Sequence, residues 1–303
     1  MNKVLKRNIL ASYISDAVLG TYFQLPIWIV YQSQFLTFSQ IAFFSGLALI
    51  TEVLIQLPTG AFADIFGRKF SLSLGNLFMA IPMFLIATYP RPEIMWIYAI
   101  SWGLGKAFCM GTGRPILFET LKKYGDINQY SKIVSKSIVV FQLSAAISIA
   151  SGGYLYQISQ SLPYYISGFA SLIGIVTAFL FIEDRNLKPL FSINNFIQKT
   201  KVGFSEIFKN SYITKLTLLY GLVVGIAATN QQFFAQPFMV ELGMNDIQRS
   251  WVSMIIKITI ALVGAKVLAT TKIFNHKYFL LIIPTLMIIS LIPAGFVHIP
   301  FAY

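Results

Sequence analysis

The sequence predicts an all-α membrane protein, a bundle of about nine transmembrane helices. The first observation behind this prediction is compositional: 56% of the 303 residues are hydrophobic, only 11% are charged, and the mean hydropathy is +0.70. A soluble domain of this length needs more charge to cover its surface. The second observation is a series of nine apolar runs, each about as long as the 20 residues that a helix needs to cross a bilayer.

The predicted spans are long and evenly apolar, which excludes the alternating strands of a membrane barrel. They lie near residues 9–31, 41–62, 70–89, 94–117, 134–157, 164–182, 211–237, 250–269 and 279–298.

The basic residues orient this bundle. Lysines and arginines gather at alternate ends of the predicted spans, and only Arg91 and Arg249 lie at the opposite ends. This asymmetry follows the positive-inside rule, so we expect a multi-pass protein of the cell membrane with a cytoplasmic N-terminus. The net charge of +12 is therefore an orientation signal, and no nucleic-acid partner is expected.

A weak internal repeat predicts two halves. Residues 64–70 (DIFGRKF) follow the second span and residues 272–278 (KIFNHKY) follow the eighth, while Pro26 and Pro237 occupy matching places late in spans one and seven. The predicted organisation is a six-helix half (1–182), a cytoplasmic linker (183–210) and a partial second half (211–303). A second half as large as the first would need further helices, so the chain is expected to be truncated after its ninth.

The loop between spans two and three carries a motif. Residues 58–69 read PTGAFADIFGRK, which resembles the G-x-x-x-D-x-x-G-R-K loop signature of the major facilitator superfamily, in the expected topological place. The matching positions are Gly60, Asp64, Gly67, Arg68 and Lys69. The resemblance implies a major-facilitator-type helical bundle that moves small solutes across the membrane.

Each motif residue has a physical reason. Gly60 would let another helix approach closely, and Gly67 would permit a tight turn. Asp64 would face the positive end of a helix dipole, while Arg68 and Lys69 would hold the loop at the anionic inner leaflet.

The resemblance also implies that this loop latches the two halves. The partner helix in the family would be the eleventh, which lies beyond the nine predicted here. Arg114 is then the candidate local partner of Asp64, and Glu119 is a second candidate gating residue. The alternative is a basic topological anchor without gating.

Four charged residues fall inside the spans: Asp16, Glu52, Lys106 and Lys257. A charge near the bilayer centre costs at least about 2.5–3.5 kcal/mol, so each needs a reason. One hypothesis is that Asp16 or Glu52 carries a coupling proton, with Lys106 tuning its proton affinity or meeting an anionic substrate group. The alternative is a structural ion pair within the bundle.

A cluster of amides lies in the outer half of span seven, at Asn230, Gln231, Gln232 and Gln236. These side chains could hydrogen-bond a substrate. Alternatively, they could bond neighbouring helices, at about 0.6 kcal/mol for each bond.

These features predict a secondary transporter of a small organic solute, a drug or metabolite, with protons as a further partner to be tested. The antiporter signature G-P-x-x-G-G survives only as Gly152-Gly153, with Ser148-Ile149 in place of Gly-Pro, which weakens a prediction of drug:proton antiport. The alternative function is a truncated, non-transporting remnant or accessory membrane protein. No enzymatic motif, cofactor or metal site is expected.

Overall fold

Helices make up the architecture. The computed structural model describes residues 2–110, 112–183 and 235–270, together with scattered positions between 197 and 221. Every regular element within these ranges is helical, which confirms the predicted all-α class.

Ten α-helices are described in chain order. They are α1 (Lys3–Leu19), α2 (Trp28–Gln32), α3 (Phe38–Phe66), α4 (Arg68–Thr88), α5 (Met95–Met110), α6 (Gly113–Tyr124), α7 (Tyr130–Ile158), α8 (Leu162–Ala178), α9 (Ala235–Glu241) and α10 (Asp246–Thr270), with 3-10 turns at Pro92–Ile94 and Ile127–Gln129.

Several predicted spans coincide with these helices. Three helical stretches of the described part are long and apolar enough to cross a membrane by themselves: Phe38–Gln56, Arg68–Thr88 and Ile127–Ile158. Leu162–Ala178 is a shorter apolar helix, and α10 contains the predicted eighth span. The ninth predicted span and most of the seventh lie outside the described residues.

The first span is not the continuous helix predicted over 9–31. The first helix starts at Lys3, ends at Leu19, and is separated from α2 by a turn segment at residues 20–27. Gly20 lies directly against the backbone of α7, where a Cβ atom would collide with the carbonyl of Phe141. The segment continues through Tyr22, whose N–H donates to the Ser148 hydroxyl of α7 at 2.9 Å. A neighbouring helix therefore satisfies backbone groups that an unbroken helix would bond internally.

Replacing Ser148 with Ala should destabilise the protein, because the Tyr22 N–H then loses its acceptor inside the bundle. An unpaired buried donor costs about 1–3 kcal/mol in the free energy of unfolding. Unfolding in detergent micelles measures this cost. The matched control is Ser151→Ala, because the Ser151 hydroxyl bonds only the Ile147 carbonyl of its own helix. Equal stability of the two variants would contradict the proposed acceptor role.

The fourth span is also divided. The α5 helix ends at Met110, and α6 begins at Gly113 and runs to Tyr124, beyond the predicted end at residue 117. Pro115 lies in the first turn of α6, where a missing backbone N–H is tolerated.

The packing order defines two ends of the bundle. The α4 helix packs against α5 and α8, α3 packs against α5, and α1 packs against α6, α7 and α8. We call the end that carries residues 64–69 the loop end, and the end that carries Pro92–Ile94 and the start of α10 the opposite end.

The α7 and α10 helices pack against one another, which joins residues before the predicted linker to residues after it. Gly153 makes this approach possible, because a Cβ atom there would lie 2.5 Å from both the Asp246 carbonyl and the Ser250 hydroxyl. Its neighbour Gly152 lies against the Phe23 carbonyl of the broken first span. The Gly-Gly pair thus packs between α10 and residues 20–27.

Candidate functional site

A lysine surrounded by aromatic rings lies inside the helix bundle. The Lys106 ammonium on α5 donates to the Tyr22 hydroxyl at 2.6 Å. It also lies 4.8 Å from the centroid of the Tyr22 ring and 5.4 Å from that of Trp102, one turn earlier on α5. The Trp102 ring is parallel to that of Tyr98 at 6.4 Å. The cation is therefore stabilised by a hydrogen bond to the Tyr22 hydroxyl and by the Trp102 ring.

The break in the first span places Tyr22 beside this lysine. The Ser144 hydroxyl donates to the Ala17 carbonyl at 2.6 Å, just before the break, and Ser148 accepts from Tyr22 just after it begins. The Tyr22 ring then packs edge-to-face on Phe141, with centroids 6.1 Å apart. Because α7 holds both the end of α1 and Tyr22 within the break, the phenol is directed toward α5.

Two further charged side chains lie inside the bundle. Both are partly buried, Glu52 on α3 and Lys257 on α10. The Glu52 backbone packs against Gly103 of α5, one turn before Lys106. In the described part of the chain, none of these three groups forms a salt bridge. The predicted structural ion pair is therefore not formed by Lys106.

Asp16 pairs with a different cation. Its carboxylate lies 3.4 Å from the guanidinium of Arg114, at the start of α6, and the two side chains are 17% and 33% exposed. Buried atoms of both groups, Asp16 Oδ2 and Arg114 Nη1, have no hydrogen-bond partner among the described residues. The pair is therefore a close charge contact in which these two atoms lack hydrogen bonds, while Ser137 of α7 hydrogen-bonds the Asp16 carboxylate.

At the loop end, Arg68 joins three elements. Its guanidinium lies 2.8 Å from Glu119 of α6 and 3.7 Å from Asp64 of α3. Its backbone N–H, at the start of α4, donates to the Glu183 carboxylate at 3.0 Å. Gly67 precedes it with a φ of +104°, so the predicted need for glycine at this tight turn is confirmed.

Buried Asn8 links three parts of the chain at the loop end through hydrogen bonds. Its side chain donates to Thr120 of α6 and to the Ile182 carbonyl, both at 2.8 Å, and accepts from the Ile182 N–H at 2.7 Å. The first helix is thereby fixed to α6 and to the residues that follow α8.

Two expectations for the motif are not met among the described residues. Arg114 contacts Asp16 and not Asp64, because the start of α6 faces α1. Gly60 allows no close helix approach among the described residues: it is exposed on α3, and a Cβ atom there would meet nothing within 4 Å. Lys69 is partly buried beside Arg68, and its predicted contact with the anionic leaflet stays a prediction.

Comparison with known proteins gives the family. The model of the Major Facilitator Superfamily matches residues 9–303, nearly the whole chain. The chain belongs to the Major Facilitator Superfamily. It is therefore a multi-pass membrane protein.

Relatives within the superfamily are distant. The chain is 23% identical to Multidrug resistance protein 1 of Bacillus subtilis over 61% of its own length and 46% of that protein. It is 23% identical to the uncharacterized MFS-type transporter MJ1560 of Methanocaldococcus jannaschii, over 89% of its own length and 76% of that protein. The chain is 20% identical to the quinolone resistance protein NorA of Staphylococcus aureus, over 67% of its own length and 52% of that protein. The match spans about half the length of the first and third of these proteins.

Gln236, one of the four candidate amides, forms a hydrogen bond within the bundle. Gln236 on α9 is buried and donates to the Leu25 carbonyl in the broken first span. This contact favours the interpretation that Gln236 bonds another helix. Asn230, Gln231 and Gln232 lie outside the described residues. Among the described residues, no three His, Cys, Asp or Glu side chains are grouped closely enough to hold a metal ion.

Sequence reasoning missed several residues of the site. Tyr22 and Trp102 were not predicted, although Trp102 precedes Lys106 by four residues, a spacing that places both on one face of a helix. Glu183 was assigned to the linker without a partner. No local pattern indicates its bond to Arg68, because the two positions are far apart in sequence.

Proposed function

We propose that this superfamily member is a secondary transporter that moves a small organic solute across the cell membrane by alternating access. Residues 1–182 and 211–303 would form the two moving halves, joined by residues 183–210, with the N-terminus and the loop end in the cytoplasm. No enzymatic step is part of this proposal. The names of two relatives, which refer to multidrug and quinolone resistance, favour a drug or metabolite and outward movement.

One observation carries the proposal. Helices from both sides of the predicted linker, α7 and α10, pack against one another at Gly153, and a lysine lies within the apolar bundle on each side, Lys106 on α5 and Lys257 on α10. Charges within membrane helices are costly and are typical of solute and ion pathways. A site between two halves is also the arrangement that alternating access requires.

The Asp16–Arg114 pair supports proton coupling. A proton that binds Asp16 removes the negative charge that holds Arg114, at a separation of 3.4 Å. Arg114 is the second residue of α6, directly after the break that ends α5 at Met110. Protonation would therefore loosen α6 from α1 at a place where the fourth span is already interrupted. We propose this step as the link between proton binding and movement.

At the loop end, Arg68 would keep α3, α4 and α6 together as one body. Arg68 is only 16% exposed, whereas Glu119 is 62% exposed. A pair with one solvated partner contributes little stability and can be exchanged at small cost. The loop motif therefore fits a reversible latch better than a permanent one.

Transport by the purified chain in proteoliposomes tests the proposal. The panel contains radiolabelled aromatic carboxylates and aromatic amines of matched size, assayed by counterflow and by accumulation under an imposed pH gradient. We expect saturable counterflow of at least one solute, absent from empty liposomes. If folded protein, with a cooperative unfolding transition, moved no solute of either class, the accessory, non-transporting alternative would replace this proposal.

A further inference from the structure

We propose that a cavity at the opposite end of the bundle binds a phospholipid with a primary ammonium headgroup, such as phosphatidylethanolamine. The cavity lies between the start of α3 and the start of α5. Its aromatic wall would hold the glycerol and the upper acyl chains, and polar side chains at its rim would bind the headgroup. This lipid site goes beyond the proposed function, because lipid binding does not depend on transport.

The cavity has a volume of about 450 Å³. Sites for small molecules typically enclose about 300–1,000 Å³, so a headgroup is of a suitable size. The two helices that border it pack against one another, and α5 begins directly after the 3-10 turn at Pro92–Ile94. Trp96 precedes Lys106 on α5 by about 15 Å of helix, so the cavity is distinct from the site around Lys106. Its walls include Ser39, Gln40, Phe43, Phe44, Glu93 and Trp96.

Three aromatic rings form the apolar wall. The Trp96 ring packs edge-to-face on Phe43 and Phe44, with centroids 5.6 and 5.4 Å apart, and the two phenylalanine rings are themselves 5.4 Å apart. Phe44 is buried and fixes the cluster, whereas Phe43 and Trp96 are 54% and 51% exposed. Tryptophan near the end of a span is typical of the membrane interface, where headgroups meet acyl chains. The half-exposed rings therefore offer a surface that suits a lipid.

The polar groups at the rim are available for a ligand. In the described part of the chain, the Glu93 carboxylate, the Ser39 hydroxyl and the NH₂ group of Gln40 form no hydrogen bond or salt bridge. The amide oxygen of Gln40 accepts from the Thr37 N–H at 2.9 Å as part of the cap of α3. This bond holds the side chain and leaves its NH₂ group as a donor. The rim therefore provides one carboxylate and two donor groups.

This combination matches a zwitterionic headgroup. A primary ammonium has three N–H donors and a positive charge, and the Glu93 carboxylate can accept from it. The donors of Ser39 and Gln40 can bond the phosphate oxygens. Arg91, the cation nearest to Glu93 in sequence, is exposed and does not line the cavity. A headgroup without an ammonium would bring its negative phosphate toward Glu93 with no compensating charge. Charge complementarity therefore favours phosphatidylethanolamine over phosphatidylglycerol.

Quenching of Trp96 fluorescence by brominated lipids tests this inference. The protein is placed in bilayers of unlabelled phosphatidylglycerol that contain a small fraction of phosphatidylethanolamine or phosphatidylglycerol brominated near the glycerol. The difference between wild type and Trp96→Phe isolates this residue from the other tryptophans. We expect brominated phosphatidylethanolamine to quench Trp96 at least about threefold more strongly than brominated phosphatidylglycerol, because only its ammonium can pair with Glu93.

Two carboxylate variants assign the preference to the cavity. Glu93→Gln should remove it, so that the two brominated lipids quench Trp96 equally. Glu93 is exposed, and its replacement is expected to leave the fold intact. The matched control is Glu241→Gln, because Glu241 is an exposed carboxylate at the end of α9 that does not line the cavity. This variant should keep the preference for phosphatidylethanolamine.

A brominated alkylamine of matched chain length separates a lipid from a free amine. It carries the ammonium and lacks the phosphate that Ser39 and Gln40 would bond, so we expect it to quench Trp96 less than phosphatidylethanolamine does. Equal or stronger quenching by the alkylamine would replace the lipid with a free amine as the occupant. Equal quenching by the two lipids in wild type, or a preference that survives in Glu93→Gln, would overturn the inference. A lipid preference in a protein that moves no solute would contradict the proposed function alone.

Discussion

Replacement of Gly153 by Leu is expected to separate α10 from α7 and to abolish transport. Even the first atom of the new side chain would lie 2.5 Å from the Asp246 carbonyl, a backbone atom that cannot rotate away. The α10 helix must then shift as a whole. Overpacking of this kind costs about 1–3 kcal/mol in the free energy of unfolding. Thermal unfolding in micelles and solute counterflow in proteoliposomes measure the two consequences.

Thiol crosslinking follows the helix separation directly. The Trp251 indole donates to the Tyr154 hydroxyl at 3.1 Å, so Tyr154→Cys and Trp251→Cys, joined by a short bis-maleimide, report on the α7–α10 contact. We expect the reagent to link this pair in the parent chain and much more slowly in the Gly153→Leu variant. Gly46→Leu is the matched control, because a Cβ atom at Gly46 in α3 meets nothing within 4 Å. If Gly153→Leu left crosslinking and transport unchanged, the proposal that transport needs the α7–α10 contact would be wrong.

Replacement of Asp16 by Asn is expected to uncouple solute movement from the proton gradient. Asparagine keeps the shape of the side chain but is always neutral, so it cannot bind and release a proton as a carboxylate does. Arg114 would then lack its anionic partner in every state of the transport cycle. We expect accumulation under an imposed pH gradient to fall to the level seen without a gradient. Counterflow, which needs no net proton movement, should persist.

The charge-matched control is Asp126→Asn. Asp126 accepts from the Asn128 N–H at 2.9 Å at the exposed turn before α7, and asparagine can accept the same bond. Its variant should keep gradient-driven accumulation. The proton hypothesis for Asp16 fails if Asp16→Asn still accumulates solute in response to the gradient. In that case Glu52 becomes the next residue to replace.

The all-helical membrane class could be predicted from sequence because it depends on composition and the lengths of apolar runs. The tight turn at Gly67 was predictable for a similar local reason, since a glycine between two helices indicates a backbone that other residues rarely adopt. The break at residues 20–27 was not predictable from hydropathy. Phe23, Leu25 and Ile27 keep the run apolar through the turn, and the compensating hydroxyl belongs to Ser148 on another helix.

The charge pairs were the least predictable part of the site. Asp16 and Arg114 were both recognised as candidates, but their pairing depends on how α6 is placed against α1 after α5 ends at Met110. Gly60 shows the opposite case, a residue for which the motif predicts a contact that the described structure does not contain. Its spacing in the motif predicts a helix contact, yet on α3 it faces no described helix. A motif identifies residues that can form contacts, and the tertiary arrangement selects the ones that do.

The broken first span has a mechanical consequence. Backbone bonds within residues 20–27 link positions only three apart, as in Leu25 to Tyr22 and Ile27 to Gln24, so no continuous helix transmits a twist from α1 to α2. Below the break, Asn8 fastens α1 to α6 and to Ile182; above it, the Tyr31 hydroxyl donates to the Ile86 carbonyl of α4 at 3.0 Å. The two halves of the first span are therefore anchored to different helices and can move separately. Distance labels placed on α1 and on α2 should record different displacements during one transport cycle.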